Sequence, residues 1–147
     1  MAVRFQSVID CVDPEPLAHF WVAPLAYELE PPPDGFASWD VYRRDLGVPE
    51  DQLGGGADCI VDPSREGPRI WFQVVPERKA VKNRWHIDIG VSGGRAVPIE
   101  TRKQRVDAEA ARLADLGARF VRVLEEEGLD HYAVAMHDPE GNEFDIN

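Results

Sequence analysis

The chain has 147 residues, 44% of them hydrophobic and 29% charged, a balance that supports a folded core and argues against disorder. Its 27 acidic and 16 basic side chains give a formal charge of −11, a field that repels phosphate backbones and argues against nucleic acid as a partner. No apolar run approaches the ~20 residues of a membrane span, and the opening MAVRFQSVIDCVD lacks the basic-then-apolar order of a signal peptide, so no membrane partner and a cytoplasmic location are expected.

Val3 to Val12 alternates as a strand does, with Phe5, Ile9 and Cys11 on one face and Gln6, Val8 and Asp10 on the other. Asp13 suits a helix N-cap and Pro14 the first helical position. Leu17, Phe20, Trp21 and Leu25 then fall at helical spacing, with His19 expected at the surface. Tyr27 to Glu30 is extended again and is halted by Pro31-Pro32-Pro33. Between Phe36 and Leu53 an insertion is expected to carry a short helix stopped at Gly47. The Gly54-Gly55-Gly56 loop lacks the Lys-Ser/Thr of a phosphate cradle. Ala57 to Val61 and Arg69 to Val75 are the next two strands, and Trp71 shares a face with Gln73. Cys11 and Cys59 have neither metal-type nor redox spacing and are expected as buried, reduced thiols.

The second half repeats this plan. Arg84 to Val91 reads as a strand, with Trp85, Ile87, Ile89 and Val91 on a core face against His86, Asp88 and Gly90. A loop containing Gly93-Gly94 and Pro98 leads to a helix from Arg105 to Leu116, with the stripe Val106, Ala110, Leu113 and Leu116 and a stop at Gly117. The basic run Arg102-Lys103-Gln104-Arg105 is expected on that helix's wet face, and Glu125-Glu126-Glu127 in a solvated loop. Arg119 to Leu124 and Tyr132 to His137 are strands. Asp138-Pro139-Glu140-Gly141 has the residues of a type I turn. In the closing strand Phe144 and Ile146 oppose Glu143, Asp145 and Asn147.

The phrases FQVVPE, KNRWHIDI and MHDPEGNEFDIN, set on two strand-helix-strand-strand-strand halves, resemble the vicinal oxygen chelate superfamily of glyoxalases, bleomycin-resistance proteins and extradiol dioxygenases, in its glyoxalase-like branch common in actinobacteria. The resemblance implies an α+β fold in a single glyoxalase-like domain. Two tandem βαβββ modules, residues 1–80 with an insertion at 31–56 and residues 81–147, would form a cupped mixed sheet with helices outside. It also implies a small-molecule ligand and a homodimer. Metal-using members draw one ligand from the first and one from the last strand of each module, which correspond here to Gln6, Gln73, His86 and Asp145.

Two neutral amides in that set leave one imidazole and one carboxylate, a weak set for zinc, nickel, iron or manganese. The favoured reading is therefore a binding protein of the bleomycin-resistance type, without a cofactor. It would hold an aromatic or cationic ligand among Gln6, Trp39, Trp71, Gln73, His86, Asp88 and Asp145, with Trp71 as a stacking platform. Trp39 and Tyr42 are read either as a lid over the cup or as simple packing of the insertion. The alternative is a divalent-metal-dependent lyase, isomerase or dioxygenase using Gln6, Gln73, His86 and Asp145; Asp145 and Glu143 are the candidate catalytic proton acceptors, weak ones without the metal.

Overall fold

The computed structural model describes residues 3–147. The chain divides into two compact units that part between Arg78 and Lys79. The first contains β1 (Gln6–Cys11), α1 (Pro14–Leu25), β2 (Glu28–Leu29), α2 (Trp39–Asp45), a single 3-10 turn (Glu50–Gln52), β3 (Cys59–Val61) and β4 (Arg69–Val74). The second contains β5 (Ile87–Ile89), α3 (Ile99–Asp115), β6 (Arg119–Glu125), β7 (Tyr132–His137) and β8 (Glu143–Ile146).

Each unit carries a four-stranded mixed sheet, in the orders β1-β4-β3-β2 and β5-β8-β7-β6. The opening and closing strands of each unit pair in parallel, and the remaining pairs are antiparallel. Strand order and connectivity are thus the same twice over. The tandem βαβββ plan and the α+β class expected from the sequence are both present.

In the first unit Asp13 takes the extended N-cap conformation, Pro14 opens α1, and left-handed Ala26 closes it. That helix packs on β3 and β4, burying Leu17, Phe20 and Trp21 with Ile60, Ile70 and Phe72. In the second unit α3 lies on β7 and β8, and Val106, Ala110 and Leu113 meet the layer of Val134, Met136, Phe144 and Ile146. Each large apolar side chain sequestered in this way contributes about 1.5–3 kcal/mol. One face of each sheet is therefore taken by a helix, and the polar residues on alternate positions stand on the other.

Several expectations fail, for local reasons. The α3 helix begins at Ile99, six residues early, because extended Pro98 ends the loop and its carbonyl accepts the amides of Thr101 and Arg102. Arg102 is consequently not on a wet face. It is 7% exposed, donates to the Val97 carbonyl at 2.9 Å, and pairs with the Asp130 carboxylate. Leu116 caps the helix and is half exposed, so the buried stripe stops at Leu113, while Gly117 at φ +109° makes the expected exit. Glu125 belongs to the end of β6 and pairs with Lys103 at 2.6 Å.

Phe5 and Trp85 are 70% and 61% exposed instead of in the core. Both precede the paired segments, which start at Gln6 and Ile87, and face alternation binds a side chain to a core only where the strand is paired.

The DPEG turn forms as expected. Gly141 donates to the Asp138 carbonyl at 3.0 Å, and the buried Asp138 carboxylate accepts from the amides of Glu140 and Asn142 and from the Asn142 side chain. Asp62-Pro63 does the same work between β3 and β4, where Asp62 accepts from the amides of Ser64, Glu66 and Gly67. The Gly67 amide first, then the Ser64 hydroxyl at 2.7 Å and the amides of Ser64 and Glu66, draw its carboxyl down to about 2.

Candidate functional site on the second sheet

The parallel pairing of β5 with β8 sets Asp88 directly beside Asp145. His86 stands one residue before β5, and its Nε2 lies 3.2 Å from Asp88 Oδ1 and 3.4 Å from Asp145 Oδ2. One donor atom from each of the three residues falls within 4.8 Å of the others. His86, just ahead of β5, thus meets Asp145 on the neighbouring strand β8 of the same sheet. Burial raises the pKa of Asp145, His86 lowers it, and the Asp88 charge raises it again, leaving it above the ordinary carboxylate range.

Glu143 is differently employed. Its Oε1 receives Lys79 Nζ and its Oε2 receives the Asn83 amide, at 3.2 and 3.0 Å. Burial acts to raise its pKa, but the Asn83 amide, its own backbone and Lys79 outweigh that and leave it lowered. A carboxylate held in the charged form by two donors is a poor proton acceptor. With Asn83 also bonded to Asn142 at 3.3 Å, Glu143 fastens the KNR segment to β8 and so positions His86. The sequence marked Glu143 as a candidate base; its contacts make it an anchor.

The first sheet is built otherwise. Gln6, Val8 and Asp10 on β1 face the same way as Arg69, Trp71 and Gln73 on β4. Arg69 is central there. It makes a two-pronged ion pair with Glu30 (2.6–3.0 Å), donates to Gln6 Oε1 at 3.0 Å and touches Cys59 Sγ at 2.8 Å. Burial pushes the Cys59 thiol up, so it stays protonated. Gln6 is thus committed to Arg69, and Gln73 lies beside Asp10 two rungs away.

The amide of Val75 bonds the Cys11 carbonyl as that of Asn147 bonds Ile89, which matches Cys11 with Ile89 across the repeat. By that register Gln73 corresponds to Asp145, but the counterpart of His86 is Val8. The first sheet therefore presents no imidazole and no carboxylate at these two positions.

Trp71 is half-buried on the open face of β4. Trp39 donates Nε1 to the Glu30 carbonyl at 2.8 Å, meets Tyr42 edge-on at 5.9 Å and carries Arg43 over its ring. Those contacts bind it into the insertion. A pocket of ≈ 440 Å³ at the start of β4, lined by Phe5, Glu30, Arg65 and Arg69 among others, includes none of the three clustered donors of the second sheet.

Donors bonded to one transition ion at ~2.0–2.2 Å stand about 2.8–3.6 Å apart, from the octahedral to the tetrahedral angle. The two His86–carboxylate separations fall within that range. An imidazole with two carboxylates also supplies two negative charges, which suits a divalent cation. The residues present fit such an ion.

Residues 6–147 match the family profile of the glyoxalase-like domain. The chain belongs to the glyoxalase-like family. Solved structures agree in fold. A glyoxalase/bleomycin resistance protein/dioxygenase family enzyme from Burkholderia phytofirmans PsJN is 16% identical, with 97% of this chain and 94% of that one covered and a TM-score of 0.58. The fosfomycin resistance protein FosX from Mesorhizobium loti is 12% identical, with 99% and 91% covered and a TM-score of 0.56. A lactoylglutathione lyase from Agrobacterium tumefaciens is 12% identical, with 99% and 91% covered and a TM-score of 0.51. No curated protein sequence matches the chain. Glyoxalase-like neighbours this varied support a shared fold and leave the chemistry to the residues.

Asp88 is the site residue whose weight the sequence underrated. Strand parity put it on the right face, but only the β5–β8 register brings it beside Asp145. Arg69 and Asn83 went unremarked. The period-two spacing of Arg69 with Trp71 and Gln73 could have flagged the first; no pattern in the sequence pointed to the second.

Proposed function

We propose that this glyoxalase-like protein is a divalent-metal-dependent enzyme for a small molecule, of the lyase, isomerase or dioxygenase kind, with His86, Asp88 and Asp145 as the metal-holding residues. The convergence of those three donors carries the reading. It departs from the metal-free expectation because Asp88 supplies the second negative charge that Gln73 does not. A bound ion would act as a Lewis acid, polarising a substrate oxygen and easing loss of a neighbouring proton. His86 is held in place through Asn83 and Glu143, Asp88 and Asp145 are fixed by strand register, and Glu143 remains charged to hold that arrangement. FosX and the lactoylglutathione lyase lend the proposal a precedent only in fold.

The test is calorimetric titration of the metal-free protein with Zn²⁺, Ni²⁺, Mn²⁺ and Fe²⁺. One site per chain is expected for at least one ion, weakened at least tenfold in Asp88→Asn and abolished in His86→Ala. Equal affinity in all three proteins sinks the proposal. A second reading rests on the same geometry: two carboxylates already satisfy His86 Nε2, so this face can bind a cationic or aromatic ligand directly. Absence of metal binding together with ligand-induced quenching of tryptophan fluorescence favours it.

A further inference from the structure

The β6 strand changes register part-way along its pairing with β7. Arg119 pairs with His137 and Phe120 with Met136, but then the register shifts and Arg122 pairs with Ala135. Val121 is the extra residue of a β-bulge. In an unbroken strand Arg119 and Arg122, three apart, would point to opposite faces. The bulge brings both to the open face, and re-aiming a side chain is a common use of bulges near sites.

One cross-strand row on that face now reads Asp88, Asp145, Ala135, Arg122, one residue from each of β5, β8, β7 and β6. The middle position is a methyl group. Strands are spaced about 4.8 Å apart, so Arg122 starts two strands from Asp145 with nothing taller than Ala135 between them. The Arg122 side chain makes no hydrogen bond or ion pair among the described residues, and its charge is felt at Asp145, as is that of Lys82.

We propose that Arg122, aimed across Ala135 by the bulge, anchors an anionic group, a carboxylate or phosphonate, of a small ligand whose other end reaches His86, Asp88 and Asp145. The inference rests on the metal reading of that triad. An ion there offsets the two carboxylates and leaves Arg122 and Lys82 as uncompensated positive charge, which favours an anion despite the acidity of the chain as a whole. A planar guanidinium with all its donors free is the side chain best shaped for two-oxygen recognition of such a group.

Zn²⁺ and methylphosphonate are the probes. Amide chemical shifts are followed while methylphosphonate is titrated into Zn²⁺-loaded wild type, Arg122→Leu and Arg122→Lys, and Zn²⁺ affinity is measured for each protein. Saturable shifts are expected at Arg122, Ala135 and Asp145, with affinity falling roughly 10- to 100-fold in Arg122→Leu and less in Arg122→Lys, which keeps the charge and loses the fork. Zn²⁺ affinity is expected to hold in Arg122→Lys and to tighten by no more than about a few-fold in Arg122→Leu, which removes a positive charge felt at Asp145. Equal phosphonate affinity in wild type and Arg122→Leu overturns the inference, as does the absence of saturable shifts on this face. If wild type binds no Zn²⁺ yet takes up methylphosphonate in an Arg122-dependent manner, the metal reading falls and the anion anchor stands.

Discussion

Asp88 and Asp145 stand side by side on parallel strands, and a single imidazole nitrogen of His86 lies within 3.4 Å of both carboxylates. Two like charges in register repel one another, and here burial adds to the cost of ionising Asp145. Sites that hold charged groups together for function sacrifice stability to do so.

The first prediction follows from that arrangement. The folded protein holds the Asp145 proton more tightly than the unfolded chain, because its folded pKa is raised. Stability is therefore higher below the ordinary carboxylate range and declines as pH rises through the raised value. Asp145→Asn removes that slope. In metal-free protein it is expected to melt slightly above wild type near neutral pH, by about 1–3 °C, with the gap closing in acid. Thermal melts across pH check this; a lower melting point for Asp145→Asn at neutral pH contradicts it.

Arg65 sits at φ +61°, as Gly141 sits at φ +95° in the equivalent turn of the second unit. A side chain in the left-handed region costs about 1–2 kcal/mol, and the greater freedom of unfolded glycine returns part of any gain. Its ion pair with Glu28, 3.4 Å and half exposed on both sides, contributes little. Arg65→Gly is expected to stabilise the protein by about 0.5–1 kcal/mol, read from urea unfolding. Destabilisation there means that Arg65 makes a stronger contact than its geometry indicates.

Asp62 gives the opposite pH signature to Asp145. Its folded carboxyl is drawn down to about 2, chiefly by the Gly67 amide and then by Ser64. The stability it lends is present above the ordinary carboxylate range and is lost as pH falls towards that value. Asp62→Ala is expected to melt a few degrees lower at neutral pH and to converge on wild type in strong acid. A constant gap across that range assigns the effect to packing.

Two tryptophans separate core from surface. Trp21 is 2% exposed beneath the first sheet, and Trp85 is 61% exposed ahead of β5. Trp21→Ala is expected to cost about 3–5 kcal/mol, and Trp85→Ala less than about 1 kcal/mol. Comparable losses from chemical denaturation place Trp85 in a core after all.

The repeat of strand, helix and three strands was legible because alternation, helical spacing and turn residues agree along most of the chain. The Asp138–Gly141 turn and the Gly117 stop were read correctly for the same reason: their conformations demand those residues. What escaped is relational. Register decides that Asp88 meets Asp145, that Val8 takes the place of His86, and that Arg122 shares a face with Arg119, and no single segment encodes register. Arg102 looked like surface because it is charged; the Asp130 carboxylate and the carbonyls of Val97 and Asp130 let it be buried.

The parallel pairing of β5 with β8 also bears on how the site comes into being. His86 and Asp145 are separated by 145 − 86 = 59 positions, and they meet only when the last strand of their unit docks beside its first. Assembly of this face is therefore expected late in folding, after the more local β6–β7 and β7–β8 hairpins have closed. An ion gripped from both strands would act as a removable cross-link across that long loop, slowing the separation of β8 from β5 and tying the lifetime of the folded unit to metal supply.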